Sequence, residues 1–307
     1  MKKEAESYVR AMSLLPAGLQ DQVRLSEALM AKAEEIRLRI GRPASAVLPE
    51  GELITGTRPI TREDISGVIE IATGASAYTA RDSFRAGYIT ARGGVRVGVA
   101  GSAVTKDGEI TGFRAVSSAA IRVSREFVGV ADKVALELMP DGKFSSTLII
   151  SPPGGGKTTL LRDLVRLLSD GEPDLGIKGR RVSLADERGE VAGMMDGVPQ
   201  KNVGARTDVI DGCGKDRAVM MMLRAMNPEI IALDEITDPA DIAAIECAAN
   251  CGVKLLATAH AENLDDLKSR RMYLRLLHTG VFKRAVFIEK SGAKRTYQVR
   301  ELRGDYR

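Results

Sequence analysis

The sequence predicts an α/β protein preceded by a smaller α+β domain, and three observations lead there. From Thr147 onward, solid apolar runs of strand length alternate with stretches of helix length. Upstream, shorter alternating stretches are punctuated by glycine turns. Between the two, "MPDGKFSS" at Met139 to Ser146 gathers Pro, Asp, Gly and Ser, the composition of a linker. The expected division is 1–140 for the α+β domain and 141–307 for the α/β domain. A chain of 307 residues is long enough for each to bury its own core.

In the N-terminal part, helical spacing of apolar residues covers Glu4 to Met12 and Asp21 to Ala33. "EIRLRIG" and "SAVLPEGELITG" follow as short strands around a Pro-Glu-Gly turn. In "TRED", Thr61 to Asp64, the threonine is placed to cap the helix "ISGVIEIA". "GYITARGGVRVGVAGSAVTKDGEI" alternates around a Lys-Asp-Gly turn and reads as a hairpin. Its "GGVRVGVAG" precedes no helix, so those glycines are assigned to strand geometry rather than to a dinucleotide loop.

The second part changes character. "STLIIS", "RVSLAD", "EIIALDE" and "VKLLATAH" do not alternate. Strands apolar on both faces belong to a parallel sheet covered by helices. "LDDLKSRRMYLRLL" follows as a helix and "AVFIEKSGAKRTYQVREL" as a closing hairpin. The methionines of "AVMMMLRAMNPE" are expected to pack a core helix.

"TLIISPPGGGKTTLLRDLVRLL", Thr147 to Leu168, has the strand, glycine turn and helix that a P-loop requires. Glycines let backbone N–H groups close around phosphate oxygens, and the helix N-terminus adds its positive dipole end. The expected nucleotide-binding set is Pro153, Gly154, Gly155, Gly156, Lys157, Thr158 and Thr159. Lys157 supplies a point charge to the β- and γ-phosphates, and the Thr158 hydroxyl is a Mg²⁺ ligand. Ser151 stands where the first glycine of the usual pattern falls. That position shapes the strand-to-loop bend, while the phosphate-facing amides come mainly from later residues, so the loop is expected to tolerate it.

Ligands of open α/β sheets sit beyond the carboxyl ends of the strands. Those ends carry apt chemistry here: Asp234 and Glu235 after "IIAL", Asp186, Glu187 and Arg188 after "RVSLA", and Thr258 and His260 in "ATAH". Asp234 suits the Mg²⁺ shell and Glu235 the activation of an attacking water. Glu187 and Glu190, with His260, are placed to sense the γ-phosphate. Their convergence beside a P-loop points to a nucleoside triphosphatase using ATP and Mg²⁺.

Composition narrows the alternatives. A net charge of +4 and 4% aromatic residues with no Trp give little support to a nucleic-acid motor. An intact Glu235 weighs against a scaffold that only binds nucleotide. Cys213, Cys247 and Cys251, with two histidines, do not complete a metal site. No stretch approaches the roughly 18 apolar residues of a membrane span, and "MKKEAESYVRAM" lacks the apolar core of a signal peptide. A cytoplasmic protein is expected.

The order of P-loop, "ADERGE", "LDE" and "ATAH" resembles the secretion ATPases of type II and type IV systems. From about Glu34 onward the chain also resembles the stage III sporulation protein AA family. That resemblance is carried by "EIRLRIGRP", "GYITARGGVRVGVAG", "IRVSRE", "SPPGGGKTTLLRDLVR", "DERGEVAG", "VGARTDVIDGCGK", "MMLRAMNPEIIALDEI" and "TAHA". Ser151 departs from the family pattern, as does "LDEITDPAD", where glycine more often follows "DEI". The resemblance implies an α+β domain hinged to a RecA-like P-loop ATPase domain, with nucleotide between them, assembled as a hexamer. It implies that Arg122 approaches the phosphates, with Arg96 a weaker match and Arg206 a candidate for contact across a subunit boundary. It also implies work on the mother-cell side of a channel to the forespore, peripheral to the membrane and beside membrane proteins of that complex.

Overall fold

The computed structural model describes residues 3–74, 87–291 and 294–302. Two compact units emerge: Met1–Glu126 with Gly193–Gln200, and Phe127–Ala192 with Lys201–Arg307. The division falls at Glu126, ahead of the Met139–Ser146 turn where the sequence sets it. The intervening residues fold with the second unit, where the Ala131 amide donates to the buried Asp163 carboxylate at 2.8 Å.

The first unit is built on an antiparallel sheet in the order β3-β2-β1-β6-β5-β4. Its strands are β1 (Glu35–Arg39), β2 (Pro43–Leu48), β3 (Gly51–Pro59), β4 (Tyr88–Ala91), β5 (Val95–Lys106) and β6 (Glu109–Arg122). Alternation sends Ile36 and Leu38 of β1 inward, where they meet Tyr8 of the helix Lys3–Met12 and Ile65 and Val68 of the helix Arg62–Thr73. Thr61 caps the latter helix as "TRED" predicts: its hydroxyl accepts from the Asp64 amide at 3.2 Å, and Asp64 accepts from the Thr61 amide at 2.9 Å. Of the "GGVRVGVAG" run, Gly93 and Gly94 lie in a 3₁₀ turn with φ +77° and +68° rather than in a strand, and the rest is β5. At Gly101 a Cβ would lie 2.0 Å from the Ala115 carbonyl oxygen of β6. There glycine serves a close approach of strands.

The helix expected over Asp21 to Ala33 is broken. A 3₁₀ turn covers Asp21–Val23, and an α-helical turn resumes only at Glu27–Met30. A tertiary hydrogen bond competes with helix here, because the Gln22 side chain accepts from the Thr57 amide of β3 at 2.8 Å.

The second unit holds the expected sheet, in the order β13-β10-β14-β15-β7-β16-β17. These strands are β7 (Thr147–Ser151), β10 (Val182–Asp186), β13 (Thr207–Asp211), β14 (Ile230–Leu233), β15 (Lys254–His260), β16 (Arg284–Ser291) and β17 (Lys294–Glu301). All neighbours pair in parallel except β16 with β17, the closing hairpin. The two-residue strands β8 (Gly171–Glu172) and β9 (Ile177–Lys178) form a separate ladder here, and β11 (Met194–Met195) with β12 (Val198–Pro199) form another in the first unit.

β7, β10 and β14 are buried along their whole length, as unalternating apolar strands between helical layers must be. Leu148 and Ile150 of β7 pack with Val219 of the helix Lys215–Ala225 and Ile242 and Ile245 of the helix Pro239–Asn250. The helix Lys157–Asp170 packs on β7, β10 and β15 outside that cluster, and so covers the opposite face. The methionine cluster divides: Met222 is buried, whereas Met221 and Met226 are exposed. The helix expected through "LDDLKSRRMYLRLL" also divides, into Leu264–Ser269 and Arg271–His278, with Arg270 extended between them.

Candidate active site

The glycine loop follows from its backbone. β7 ends at Ser151, Gly154 takes φ +71°, and Gly156 takes φ +108° as the N-cap of the helix Lys157–Asp170. No side chain caps that helix, so its first amides point into the loop. Ser151 fits because residue 155 is glycine. A Cβ there would fall 1.7 Å from the Ser151 hydroxyl oxygen, which donates instead to the Pro152 carbonyl at 3.1 Å. Pro153 and Gly154 are exposed, Gly155 is buried, and Thr158 and Thr159 are half-buried at the first turn of the helix.

Lys157 is buried, and its ammonium folds back on the loop, donating to the Ser151 carbonyl at 2.9 Å and the Pro152 carbonyl at 3.2 Å. Burial pushes its pKa down, against the attraction of Glu235 and Asp234. Its Nζ also lies 2.9 Å from His260 Nδ1, and His260 Nε2 lies 3.0 Å from Glu235 Oε1. A neutral imidazole protonated at Nε2 satisfies both contacts, accepting from the lysine and donating to the carboxylate. Arg188 Nη1 stands 3.7 Å from the other oxygen of Glu235. Lys157, His260, Glu235 and Arg188 thus form one chain across the ends of β7, β15, β14 and β10.

Glu235 is held in a strained backbone, with φ +37°. Thr258 maintains it: its hydroxyl accepts from the Glu235 amide at 2.8 Å and donates to Asp234 Oδ1 at 3.1 Å. The Thr258 carbonyl accepts from the Ile236 amide at 2.9 Å, fixing the loop after β14. Burial, and then the charge of Asp186, push the Asp234 carboxyl up to about 6. This concentrated negative potential suits a cation. Among the described residues no three His, Cys, Asp or Glu side chains are grouped to hold a metal by themselves. Thr158 and Asp234 carry hard oxygens of the kind that could serve a Mg²⁺ ion beside bound phosphate.

The acidic turn after β10 divides its labour in a way the sequence does not reveal. Asp186 is fully buried, and its carboxylate accepts from the amides of Glu190, Val191 and Ala192 at 2.8–3.2 Å. It builds the turn, while Glu187, Arg188 and Glu190 line a cleft with Asp234 and Glu235. Arg162, from the helix after the glycine loop, donates to the Val191 and Glu190 carbonyls at 2.5 and 2.7 Å and ties the two segments together. Lys215, which sequence reasoning passed over within "GCGK", is buried between Glu187 and Asp241, the latter at 3.7 Å. Asp241 closes a capping box with Asp238 at the start of the helix Pro239–Asn250. That box, with Pro239 at the first helical position, starts the helix within "ITDPAD".

The described structure therefore gathers Lys157, His260, Glu235, Asp234, Glu187 and Glu190 in one unit. The remaining arginines are elsewhere. Arg122 ends β6 in the first unit, largely exposed, with Nε 3.4 Å from Glu35. Arg96 stacks on the Tyr88 ring at 3.5 Å. Arg206 donates to the Ser169 and Asp170 carbonyls at 2.9 and 3.2 Å, at the C-terminal end of the helix Lys157–Asp170.

A family model described as "Sporulation stage III, protein AA" matches residues 6–305. The chain belongs to that family. Stage III sporulation protein AA of Bacillus subtilis (strain 168) is 37% identical over 283 residues, covering 92% of this chain and 90% of that one. Among solved structures, the pilus retraction motor PilT with bound ADP aligns at a TM-score of 0.60 and 14% identity, covering 88% of this chain and 80% of that one. The Legionella pneumophila ATPase DotB aligns at 0.54 and 16%, covering 95% of this chain and 78% of that one. At these identities the likeness shows fold: this stage III protein AA relative shares the α/β, RecA-like architecture of those two structures, with a smaller α+β part. Among the described residues no helix is long and apolar enough to cross a membrane.

Proposed function

We propose that this family member is a Mg²⁺-dependent ATPase that assembles as a homo-oligomer, a hexamer, and energises a mother-cell-to-forespore channel during endospore formation. It would work from the cytoplasm, at the membrane and beside membrane proteins of the channel. The observation that carries the reading is the Lys157–His260–Glu235 chain beside a glycine loop and a buried aspartate. A phosphate-binding lysine and a water-activating carboxylate are coupled there through one imidazole.

The roles follow from position. Lys157 and the amides of Gly154 to Thr159 bind the phosphates, and entry of a γ-phosphate draws the lysine away from His260. Thr158 and Asp234 hold Mg²⁺, which supplies charge neutralisation of the phosphate oxygens when bound. Glu235 then accepts the proton of the attacking water, with His260 and Glu187 ordering the space around it. Arg122 is the proposed phosphate-directed arginine of the first unit. Calorimetric titration with Mg-ADP and a phosphate-release assay test this reading. Wild-type protein should bind and turn over nucleotide, and Lys157→Ala should lose turnover by at least about 100-fold. Binding without turnover in any assembly state would favour a nucleotide-dependent scaffold.

A further inference from the structure

The closing hairpin reaches the glycine loop from a flank that the proposed chemistry leaves unused. β16 pairs with β7 as far as Phe287 opposite Ile150, but its pairing with β17 runs on to Ser291 opposite Lys294. The far end of the hairpin therefore extends past the carboxyl end of β7, alongside the loop. From there Arg295 Nε donates to the Gly155 carbonyl at 3.0 Å. The same side chain fills the space beside Gly156, where a Cβ would lie 2.9 Å from Nε and 3.2 Å from Cδ.

This contact acts on a phosphate-facing amide through covalent geometry. The Gly155 carbonyl and the Gly156 N–H belong to one planar trans peptide and point in opposite directions. Holding the carbonyl toward the hairpin therefore aims the Gly156 N–H away from it, into the loop. Strand order says which end of a nucleotide lies nearby. β15 and β14, which lead to His260, Asp234 and Glu235, lie on one side of β7, and β16 and β17 lie on the other. A polyphosphate whose terminal phosphate faces Glu235 directs its nucleoside end toward β16 and β17.

We propose that Arg295 is a positioning residue for nucleotide affinity, holding the Gly155–Gly156 peptide from the nucleoside flank of the loop. The proposal rests on the nucleotide reading above and adds a distinction within it. His260 and Glu235 act where only a triphosphate reaches, whereas Arg295 serves diphosphate and triphosphate alike.

The test is titration of Mg-ADP and a non-hydrolysable Mg-ATP analogue into the wild type, Arg295→Ala, Arg295→Lys and Arg300→Ala. Arg300 lies on the same strand, its guanidinium 5.0 Å from the Phe287 ring centre, and controls for hairpin integrity. Arg295→Ala should weaken both nucleotides by the same factor, about tenfold. Arg295→Lys should recover part of the loss, and Arg300→Ala should stay within about twofold of wild type. In turnover, the KM for ATP should rise by a larger factor than kcat falls. Should Arg295→Ala fail to fold, Arg295→Lys carries the test with a smaller loss in the same direction. Unchanged affinity, a loss confined to the triphosphate, or an equal loss in Arg300→Ala would each overturn the proposal. Wild-type protein that binds neither nucleotide would instead overturn the ATPase reading on which it stands.

Discussion

The two units treat charge in opposite ways. In the first, charged groups meet at the surface: Arg39 with Glu52, Arg58 with Asp64, and Lys32 with Glu50. Among its described residues no charged side chain is buried. In the second, Lys157, Arg162, Asp163, Arg166, Asp186, Lys215 and Asp241 are all buried. Exposed pairs contribute little, whereas burying a charge costs several kcal/mol unless it is paired and hydrogen-bonded. A fold that needed only stability could fill these positions with apolar residues. Four of them, Lys157, Asp186, Lys215 and Asp241, lie where strands end or helices begin around the candidate site, while Arg162, Asp163 and Arg166 lie further along the helix Lys157–Asp170.

That contrast can be broken by substitution, and the largest stability effect is expected at Lys215. Lys215→Ala leaves Glu187 and the buried Asp241 without their shared cation. It should cost about 3–5 kcal/mol in denaturant unfolding. Arg39→Ala, which breaks an exposed pair of the first unit, should cost less than about 1 kcal/mol. Equal losses at the two positions would remove the contrast.

Asp234→Asn separates stability from function. Because the Asp234 carboxyl is raised to about 6, the native chain holds that proton more tightly than the unfolded chain. The associated stability is present below the ordinary carboxylate range and is lost as pH rises through about 6. Without nucleotide, Asp234→Asn should therefore melt at a higher temperature than wild type above that pH, with the difference closing below it. The same variant should lose the Mg²⁺-dependent part of stabilisation by ADP.

A smaller effect of the opposite sign belongs to Asp64. Its hydrogen bonds from Arg58, joined by that from the Thr61 amide, hold its carboxyl down at about 2. The stability this contributes is present above the ordinary carboxylate pKa and is lost as pH falls toward 2. Asp64→Asn should cost about 1 kcal/mol at neutral pH and flatten the acid limb of thermal unfolding.

Legibility in the sequence followed the same division. Local devices were readable: the Thr61 cap, the unalternating strands β7, β10 and β14, and the glycine loop with its helix. The placement of polar residues at the strand ends was readable too, because a parallel sheet brings those ends to one edge. Residues acting through distant partners were not. Asp186 looks from sequence like part of a reactive acidic box, yet it is spent on three backbone amides. Lys215 and Arg295 take their meaning from partners tens of residues or more away, and nothing at helical or strand spacing announces them. The break after Val23 has the same origin, since Gln22 is drawn to β3 by a contact no local pattern encodes.

The measurement closest to the central claim is phosphate release from Mg-ATP by the wild type and by Glu235→Gln, over a range of protein concentrations, with nucleotide binding followed in parallel. The expected result is wild-type turnover that rises with concentration as the oligomer forms. Glu235→Gln should still bind ATP but lose turnover by about 100-fold or more. Turnover that survives in Glu235→Gln would contradict the assignment of that carboxylate as the water-activating base at the end of β14.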